Sequence, residues 1–383
     1  MTPPLVLLLS AAHPPDDLRV VRKEGAALAA AGWRVRHLAP GPPGPQAAIE
    51  GEAIECYPRR PGWAGRLRGI PALARRAAAD GSAVLHASEP DAWAAALLAA
   101  RRCGARCVLD VHEHYPSRLD ARLPRWARPA GRAALRLLCR AAGRAADAVV
   151  VAKDGLAAEF PGAVAVRNYA LPIAIAPRRH RPGPPTLAHA GALGRSRGWP
   201  QLLEAMALAP PGTRLRLIGR FTDGSEPDFR ARAAALGLAG RIEHLGWHPH
   251  PEALALLAEA DIGLVLFQPG EENHRLALPH KLFDAMLAGL PVIAPAFAEE
   301  VAGIIQDAGC GLLVETADPA AIAGAIAALA DPDLRARLGA AGRDAALTRY
   351  AWGAEAARLV GLYRRLAPLP VGGGNGQAAP AGL

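Results

Sequence analysis

The chain of 383 residues is 51% hydrophobic and 21% charged, with a formal net charge of +9. That length supports two ordinary domains with sizeable cores, and the composition excludes a disordered or fibrous protein. No apolar run approaches the ~20 residues of a spanning helix, and the basic balance favours anionic partners such as phosphates, nucleotides or acidic lipid.

Among the 44 basic residues only Lys23, Lys153 and Lys281 are lysines. Arginine enrichment is therefore a property of the whole sequence, and a single arginine carries little information. The cysteines Cys56, Cys103, Cys107, Cys139 and Cys310 are odd in number and lack CxxC spacing. They predict reduced thiols in a cytoplasmic compartment and no zinc site.

Taken along the chain, Pro4–Ala12 is apolar without a preceding basic residue and reads as a first strand, Leu5–Ser10, rather than a signal peptide. Asp16-Asp17-Leu-Arg19 follows it with no GxGxxG, which argues against a dinucleotide redox enzyme. Further strands are predicted at Val35–Ala39, Val84–Ala87, Cys107–Val111, Ala148–Ala152 and Val164–Asn168. Short apolar runs between Ala/Leu-rich helical stretches have the form of buried parallel strands. His86 and Asp91 lie at the end of one strand. Asp110-Val-His112-Glu113-His-Tyr packs titratable groups past the end of the next. In a doubly wound sheet that edge binds ligands. There His112 is placed to relay a proton or hydrogen-bond a reacting group, and Glu113 to orient it or stabilise developing positive charge. A His/Glu pair capping the next segment is the alternative.

Arginines recur every three or four residues from Arg118 to Arg144, with Asp120 the one acidic residue in that span. From Pro129 onward, four-residue spacing sets Arg132, Arg136, Arg140 and Arg144 along one helix face, a candidate contact for an anionic lipid surface. A solvated helix in an arginine-rich sequence is the competing reading. Leu171–Pro185 then holds five prolines and reads as an interdomain linker.

Beyond it the strand pattern repeats at Leu187–Ala190, Arg214–Ile218, Ile242–Leu245, Ile262–Phe267, Pro291–Ala294 and Gly311–Val314. The first of these runs into Gly191-Ala-Leu-Gly-Arg195-Ser-Arg197-Gly198, where glycines admit close backbone approach and both arginines can neutralise a pyrophosphate. In Leu276–Pro291 a helix is predicted from Pro279, with no side-chain cap before it. Its free N–H groups beside Lys281 form an anion site, and Asp284 on the same face can accept from ribose hydroxyls. A solvated Lys–Asp pair is the plainer alternative. Asp331-Pro-Asp333, the one DxD, reads as a helix-start turn rather than a cation site. Trp247 and His248 fall in a loop with the features of a cleft wall, and the tail from Ala367 has no periodicity.

These segments in this order resemble a GT-B glycosyltransferase of family 4, from about Leu5 to Leu366. The resemblance rests on Asp17-Leu-Arg-Val-Val-Arg, Leu28–Gly32, His86-Ala-Ser-Glu-Pro-Asp91, Asp110–Pro116, Ala146–Val151, Asn168-Tyr, Gly191–Gly198, Ala260–Val265 and Pro279–Pro291. It implies two doubly wound Rossmann-like α/β domains facing across a cleft. The expected boundaries are residues 1–170 for an acceptor-binding domain, 171–186 for the linker and 187–350 for a nucleotide-sugar-binding domain. Residues 351–366 would form a C-terminal helix returning to the first domain, and 367–383 a disordered tail. It further implies retaining, metal-independent transfer of a hexose-type sugar from a nucleotide-diphosphate donor, UDP-sugar favoured and GDP-sugar possible, with no other cofactor. The acceptor would be a saccharide or a lipid-linked molecule, in cell-surface polysaccharide or glycolipid synthesis, and no nucleic acid would bind.

On that analogy His112 and Glu113 are catalytic, while Arg195, Arg197, Lys281, Asp284 and Gly191 bind the donor. Asp17, Arg19, His86, Asp91 and Asn168 line the acceptor side. Two positions depart from the family pattern. Leu276 stands where a first glutamate is common, with Glu271 and Glu272 nearby, and Ala192 where an arginine is common. These departures leave room for a catalytically weak sugar-nucleotide-binding or assembly subunit. An epimerase of similar shape is a third reading, without the strong carboxylate pairs it would need.

Overall fold

The computed structural model describes residues 2–120 and 122–370. The first sheet contains β1 (Leu5–Leu9), β2 (Arg34–Pro40), β3 (Gly44–Pro45), β4 (Ala53–Tyr57), β5 (Val84–Ala87), β6 (Arg106–Val111), β7 (Ala148–Val151) and β8 (Val164–Ala165). Its order is β3-β4-β2-β1-β5-β6-β7-β8. β1 pairs in parallel on both sides, Val6 lying opposite Val35 and Val84. All five of its residues are buried, as an apolar run sandwiched between helix layers must be.

The second sheet contains β9 (Thr186–Ala190), β10 (Arg214–Ile218), β11 (Ile242–Gly246), β12 (Ile262–Leu264), β13 (Val292–Pro295) and β14 (Gly311–Val314), in the order β11-β10-β9-β12-β13-β14. Both sheets thus contain the doubly wound order in which the winding reverses beside the first strand. The reversal falls between β1 and β5 in one sheet and between β9 and β12 in the other. Beside such a reversal two successive loops part at the carboxyl ends of the strands and open a crevice.

Every strand predicted from the sequence is present. β8 and β12 are shorter than expected, and the sequence reading contains no β3 or β4; β3 lies within the turn-rich Gly41–Gly51 and β4 directly follows it. The chain packs into two compact units. Of the described residues, one comprises 2–110, 139–150 and 356–370; the other comprises 111–120, 122–138 and 151–355.

The proline-rich segment after Leu171 is fastened to the second unit. Arg343 donates to the Ile175 carbonyl at 2.8 Å, Arg335 to that of Arg181 at 2.7 Å, and Arg178 to Asp261 at 3.0 Å. Proline removes backbone donors, so arginines from neighbouring elements satisfy the exposed carbonyls instead. In the first unit Trp33 donates to the Ala367 carbonyl at 2.9 Å. Residues 371–383, most of the expected disordered tail, lie outside the described residues.

The arginine-rich helix, Arg128–Ala145, differs from expectation in what it presents. Arg132 bonds Asp120, and Arg136 donates to Glu159 at 2.8 Å. The arginine row is therefore turned partly inward, onto carboxylates. The outward face is apolar: Ala130, Ala133, Ala134, Leu137 and Leu138 are exposed, and Trp126 just before the helix is 85% exposed. Four-residue spacing correctly put the arginines on one face. Only the acids at Asp120 and Glu159, one of them on a distant segment, decide which way that face points.

Candidate functional site

In the first unit, Arg19 and His86 do not line an open surface. Arg19 is 4% exposed and reaches Glu24 at 2.7 Å and Asp110 at 3.0 Å. His86 is fully buried, 3.3 Å from Glu24 and 2.7 Å from the Tyr363 hydroxyl. Glu24, His86 and Asp110 are grouped closely enough to suggest metal ligands, yet the guanidinium of Arg19 already supplies a cation to both carboxylates. Asp17 accepts from the Arg19 and Val20 amides at 2.9 Å each, a cap for the turn that follows. Asp91 is held bidentately by Arg66, both contacts at 2.6 Å. These four residues, expected on the acceptor side, hold the first unit together.

In the second unit β9 ends at Ala190 and the chain turns at Gly191, whose φ of +94° suits glycine. The opening created by Gly191 is occupied by Lys281. A Cβ on Gly191 would lie 3.7 Å from Lys281 Cε. Gly219 lies beneath it, and a Cβ there would fall 1.8 Å from the Gly191 carbonyl oxygen. Past a short turn at Arg195–Arg197, the Arg197 guanidinium lies 4.8 Å from the centre of the Phe267 ring, and Lys281 Nζ lies 5.9 Å from the same centre. One aromatic face thus gathers two cations.

Phe267 is itself fixed. Its carbonyl accepts from Thr316 Oγ1 at 2.6 Å, and its ring stacks on His274 at 4.8 Å. Arg195 turns away to pair with Asp228, while its amide donates to Asp223 at 2.7 Å. Of the two loop arginines, only Arg197 joins Lys281.

The helix expected from Pro279 begins at His280, with Pro279 in the extended conformation of the cap position. No side chain caps it, as the sequence indicated. Asn168 Nδ2 lies 2.9 Å from His280 Nε2, which places Asn168 at that helix start. Asp284, one turn on, accepts from His250 at 3.0 Å.

Electrostatics sharpen this picture. Burial pushes the Lys281 ammonium well below its ordinary pKa, and the nearby Arg197 charge pushes it further, against the pull of Asp284. Burial also lowers Arg197, opposed by Glu271 and Glu113. His189, 2.8 Å from Lys281, is held neutral by burial and by that ammonium. A group whose charged form is disfavoured in this way gains most from a bound anion.

His112 and Glu113 follow β6, and Glu113 pairs with Arg118 at 2.8 Å. Glu113 exerts its charge on Arg197 and on Lys153, which the sequence reading overlooked. Lys153 is 6% exposed at the end of β7, and burial brings its pKa down to about 8 despite Glu300 and Glu113. His189 and His250 were also overlooked. His189 lies inside β9 and His250 opens the helix His250–Ala258 that follows β11. Leu276 is 4% exposed and packs against Gly155, so no carboxylate occupies that position, while Glu271 supplies negative charge toward Arg197.

Two family patterns match successive halves of the chain. The sequence pattern of the glycosyl transferase 4-like domain matches residues 19–171, and that of glycosyl transferases group 1 matches residues 173–345. The two patterns together span residues 19–345 and relate the chain to the GT-B fold glycosyltransferases of the family 4 and group 1 type.

It is 32% identical over 155 residues to a phosphatidyl-myo-inositol mannosyltransferase of Mycobacterium leprae, covering 40% of this chain and 38% of that one. It is 33% identical over 188 residues to a D-inositol 3-phosphate glycosyltransferase of Corynebacterium glutamicum, covering 46% and 42%. The matches thus span about two fifths of the length of those relatives. Among solved structures, a sucrose-phosphate synthase from Thermosynechococcus elongatus superposes with a TM-score of 0.75 at 20% identity, covering 95% of this chain and 99% of that one. Anabaena HepE in complex with UDP-glucose superposes with a TM-score of 0.71 at 16% identity, covering 94% and 100%. Both likenesses concern the fold, the two Rossmann-like sheets described above. Among the described residues no helix is long and apolar enough to cross a membrane.

Proposed function

We propose that this protein transfers a hexose-type sugar, with retention, from a nucleotide-diphosphate sugar to the hydroxyl of a saccharide or lipid-linked acceptor. The observation that carries the reading is the gathering of Lys281 and Arg197 at the Phe267 ring, two partly buried cations of which Arg197 lowers the pKa of Lys281. A diphosphate fits that need. Its charge grows as the bond from the anomeric carbon to the diphosphate oxygen breaks, and fixed cations stabilise such charge without reorganisation. The uncapped N-terminus of the Lys281 helix adds to the same field.

In this reading Gly191 gives the diphosphate close access, Asp284 accepts from the ribose and Arg195 stands at the rim. The acceptor oxygen bonds to the anomeric carbon on the face the diphosphate leaves. His112 or the departing phosphate takes the acceptor proton, and Glu113 stabilises the positive charge on the sugar ring. No metal is assigned a role. A UDP-sugar is the favoured donor and a GDP-sugar the alternative; HepE, of the same fold, is described with UDP-glucose.

We place the enzyme in the cytoplasm, peripheral on the inner membrane face, in polysaccharide or glycolipid synthesis. The exposed Trp126, Leu137 and Leu138 support that docking. Aromatic and aliphatic side chains beside arginines have the composition of an interfacial helix.

Thermal unfolding with UDP, GDP and ADP, beside an Asp284→Ala variant, tests the donor site. Saturation at about 100 times Kd adds ~2.7 kcal/mol. A rise with one nucleotide that shrinks in the variant supports the reading, whereas no rise with any of them refutes it. Donor turnover separates an enzyme from a binding or assembly subunit, and the anomeric configuration of the product decides retention.

A further inference from the structure

Lysine is the rare cation of this chain, with Lys23, Lys153 and Lys281 standing among 44 basic residues. None lies on the open surface: Lys23 is 1% and Lys153 6% exposed, and Lys281 belongs to the donor site. Lys153 has no part in holding the diphosphate. It follows β7, where the Ala152 amide donates to the Val111 carbonyl at 2.9 Å and the Ala152 carbonyl accepts from the Asn168 amide at 3.0 Å. Those bonds fix Lys153 at the carboxyl end of the strand, the edge at which doubly wound sheets bind ligands. On one side is the segment bearing His112 and Glu113, and on the other Asn168, which meets His280 at the start of the Lys281 helix.

Among the described residues the Lys153 ammonium makes no hydrogen bond and no ion pair. Two carboxylates act on it from a distance, and both are engaged elsewhere. Glu300 accepts from the Gly155 amide at 2.8 Å, and Glu113 pairs with Arg118 at 2.8 Å. Leu276 occupies the space that Gly155 leaves, since a Cβ on Gly155 would fall 2.6 Å from Leu276 Cδ2. A hydrocarbon, not a carboxylate, thus packs against the turn that Lys153 opens.

The charge of Lys153 reaches the donor site. With that of Arg197 it bears on His274, the ring stacked on Phe267 at 4.8 Å. Glu113 bears in turn on both cations. A buried ammonium without a partner forfeits its hydration and recovers that loss only from a ligand. Sugar hydroxyls are modest partners for a full charge, and a carboxylate is a strong one. A hexuronic acid carries its carboxylate on the ring carbon that shares the ring oxygen with the anomeric carbon. That group lies near the diphosphate and apart from it, as Lys153 lies near Arg197 and apart from the pair at Phe267.

We infer that Lys153 selects a nucleotide-diphosphate hexuronic acid as donor, its ammonium pairing with the sugar carboxylate while Lys281 and Arg197 hold the diphosphate. The carboxylate makes and breaks no bond in the transfer and passes unchanged into an acidic glycoside. The inference rests on the sugar-transfer reading and narrows its hexose-type sugar to an anionic one.

The full chain is titrated calorimetrically at pH 7 with UDP, UDP-glucose and UDP-glucuronic acid, and with GDP, GDP-mannose and GDP-mannuronic acid. The ammonium is the major form at that pH, since burial leaves its pKa at about 8. With whichever nucleotide it accepts, the wild type should bind the uronic acid about 10- to 100-fold more tightly than the neutral sugar, the worth of one charge-assisted contact. K153M should abolish that preference and change free-nucleotide binding far less. K153R, which keeps a charge on a bulkier head, should retain part of it. A purely structural role for Lys153 would move all of these ligands alike.

No preference for the uronic acid in the wild type, or a preference that survives K153M, overturns the inference. Methyl glucuronide is titrated into the UDP- or GDP-loaded protein as a further probe. If it binds, K153M removes that binding and the sugar nucleotides show no preference, the carboxylate belongs to the acceptor and the donor assignment falls. If a nucleotide binds and the preference is missing, the sugar-transfer reading stands without this inference; if neither UDP nor GDP binds, both fall together.

Discussion

Lys281 Nζ lies 2.8 Å from His189 Nε2, a charged group set against a neutral ring in a site that burial makes hostile to charge. The ammonium of the free protein therefore loses its proton at lower pH than an ordinary lysine. A bound diphosphate reverses the effect, so binding takes up a proton wherever the free lysine is partly neutral. UDP affinity is expected to fall as pH rises from neutral into the alkaline range. Lys281→Met should weaken UDP about 100-fold and flatten that dependence. Calorimetry in buffers of different ionisation enthalpy reads the proton directly, and a pH-independent affinity in the wild type would remove Lys281 from the diphosphate site.

Asp284 is oriented by His250 at 3.0 Å, which leaves its other oxygen for a ligand. If that ligand is a ribose hydroxyl, Asp284→Asn should weaken UDP by about tenfold while leaving inorganic pyrophosphate unchanged. His250→Ala should show the same selectivity to a smaller degree, because it loosens Asp284 without removing it. Competition between UDP and pyrophosphate measures both variants in one format. Equal losses for the two ligands would place Asp284 on the phosphates instead.

Much of this organisation is legible in the sequence, and the illegible parts have physical causes. Buried parallel strands such as Leu5–Leu9 and Val292–Pro295 declare themselves because both faces must be apolar. Gly191, Arg197 and Lys281 are legible because a phosphate site needs backbone access and cations near a helix start. His189 is not, since one histidine inside an apolar strand carries no pattern. Nor is the role of Arg19 and His86, since their partners Glu24, Asp110 and Tyr363 are brought to them by tertiary packing alone. Gly219 is invisible for the same reason: the need for it arises from the Gly191 carbonyl on the neighbouring strand. Gly219→Ala is therefore expected to displace the Gly191 turn. UDP affinity should drop by about tenfold or more, and the unfolding temperature should fall, because no relaxation short of moving backbone relieves a 1.8 Å overlap.

The outward face of the helix Arg128–Ala145 separates two kinds of membrane contact. If arginines drive it, Arg132 and Arg136 would have to leave Asp120 and Glu159. If the apolar face drives it, Leu137→Glu/Leu138→Glu abolishes binding to anionic vesicles. High salt then reduces wild-type binding without eliminating it, because insertion of apolar area is not screened. Vesicle co-sedimentation at low and high salt, with Trp126→Ala as an intermediate variant, distinguishes the two. Unchanged binding by the glutamate double variant would exclude this face.

The His86–Tyr363 contact makes a stability prediction whose sign can be worked out. Burial alone would lower the His86 pKa, but Asp110 and Glu24 outweigh it and raise it from 6.5 to about 9. A group with a raised folded pKa contributes stability in full below its unfolded value and loses it as pH climbs through the folded one. The contribution of His86 is therefore complete below pH 6.5 and disappears as pH rises through about 9. Protonated His86 donates from Nδ1 to the Tyr363 hydroxyl at 2.7 Å, on the helix Trp352–Leu366. Tyr363→Phe removes that acceptor inside a fully buried cluster. The expected cost is about 1–2 kcal/mol, or a drop of several degrees in Tm at about 2–4 °C per kcal/mol. The gap between wild type and Tyr363→Phe should narrow above about pH 9, as the ring loses the proton it donates. Denaturant unfolding at neutral and alkaline pH measures the gap, and a gap that stays constant between the two would mean that His86 is already neutral in the folded protein at neutral pH.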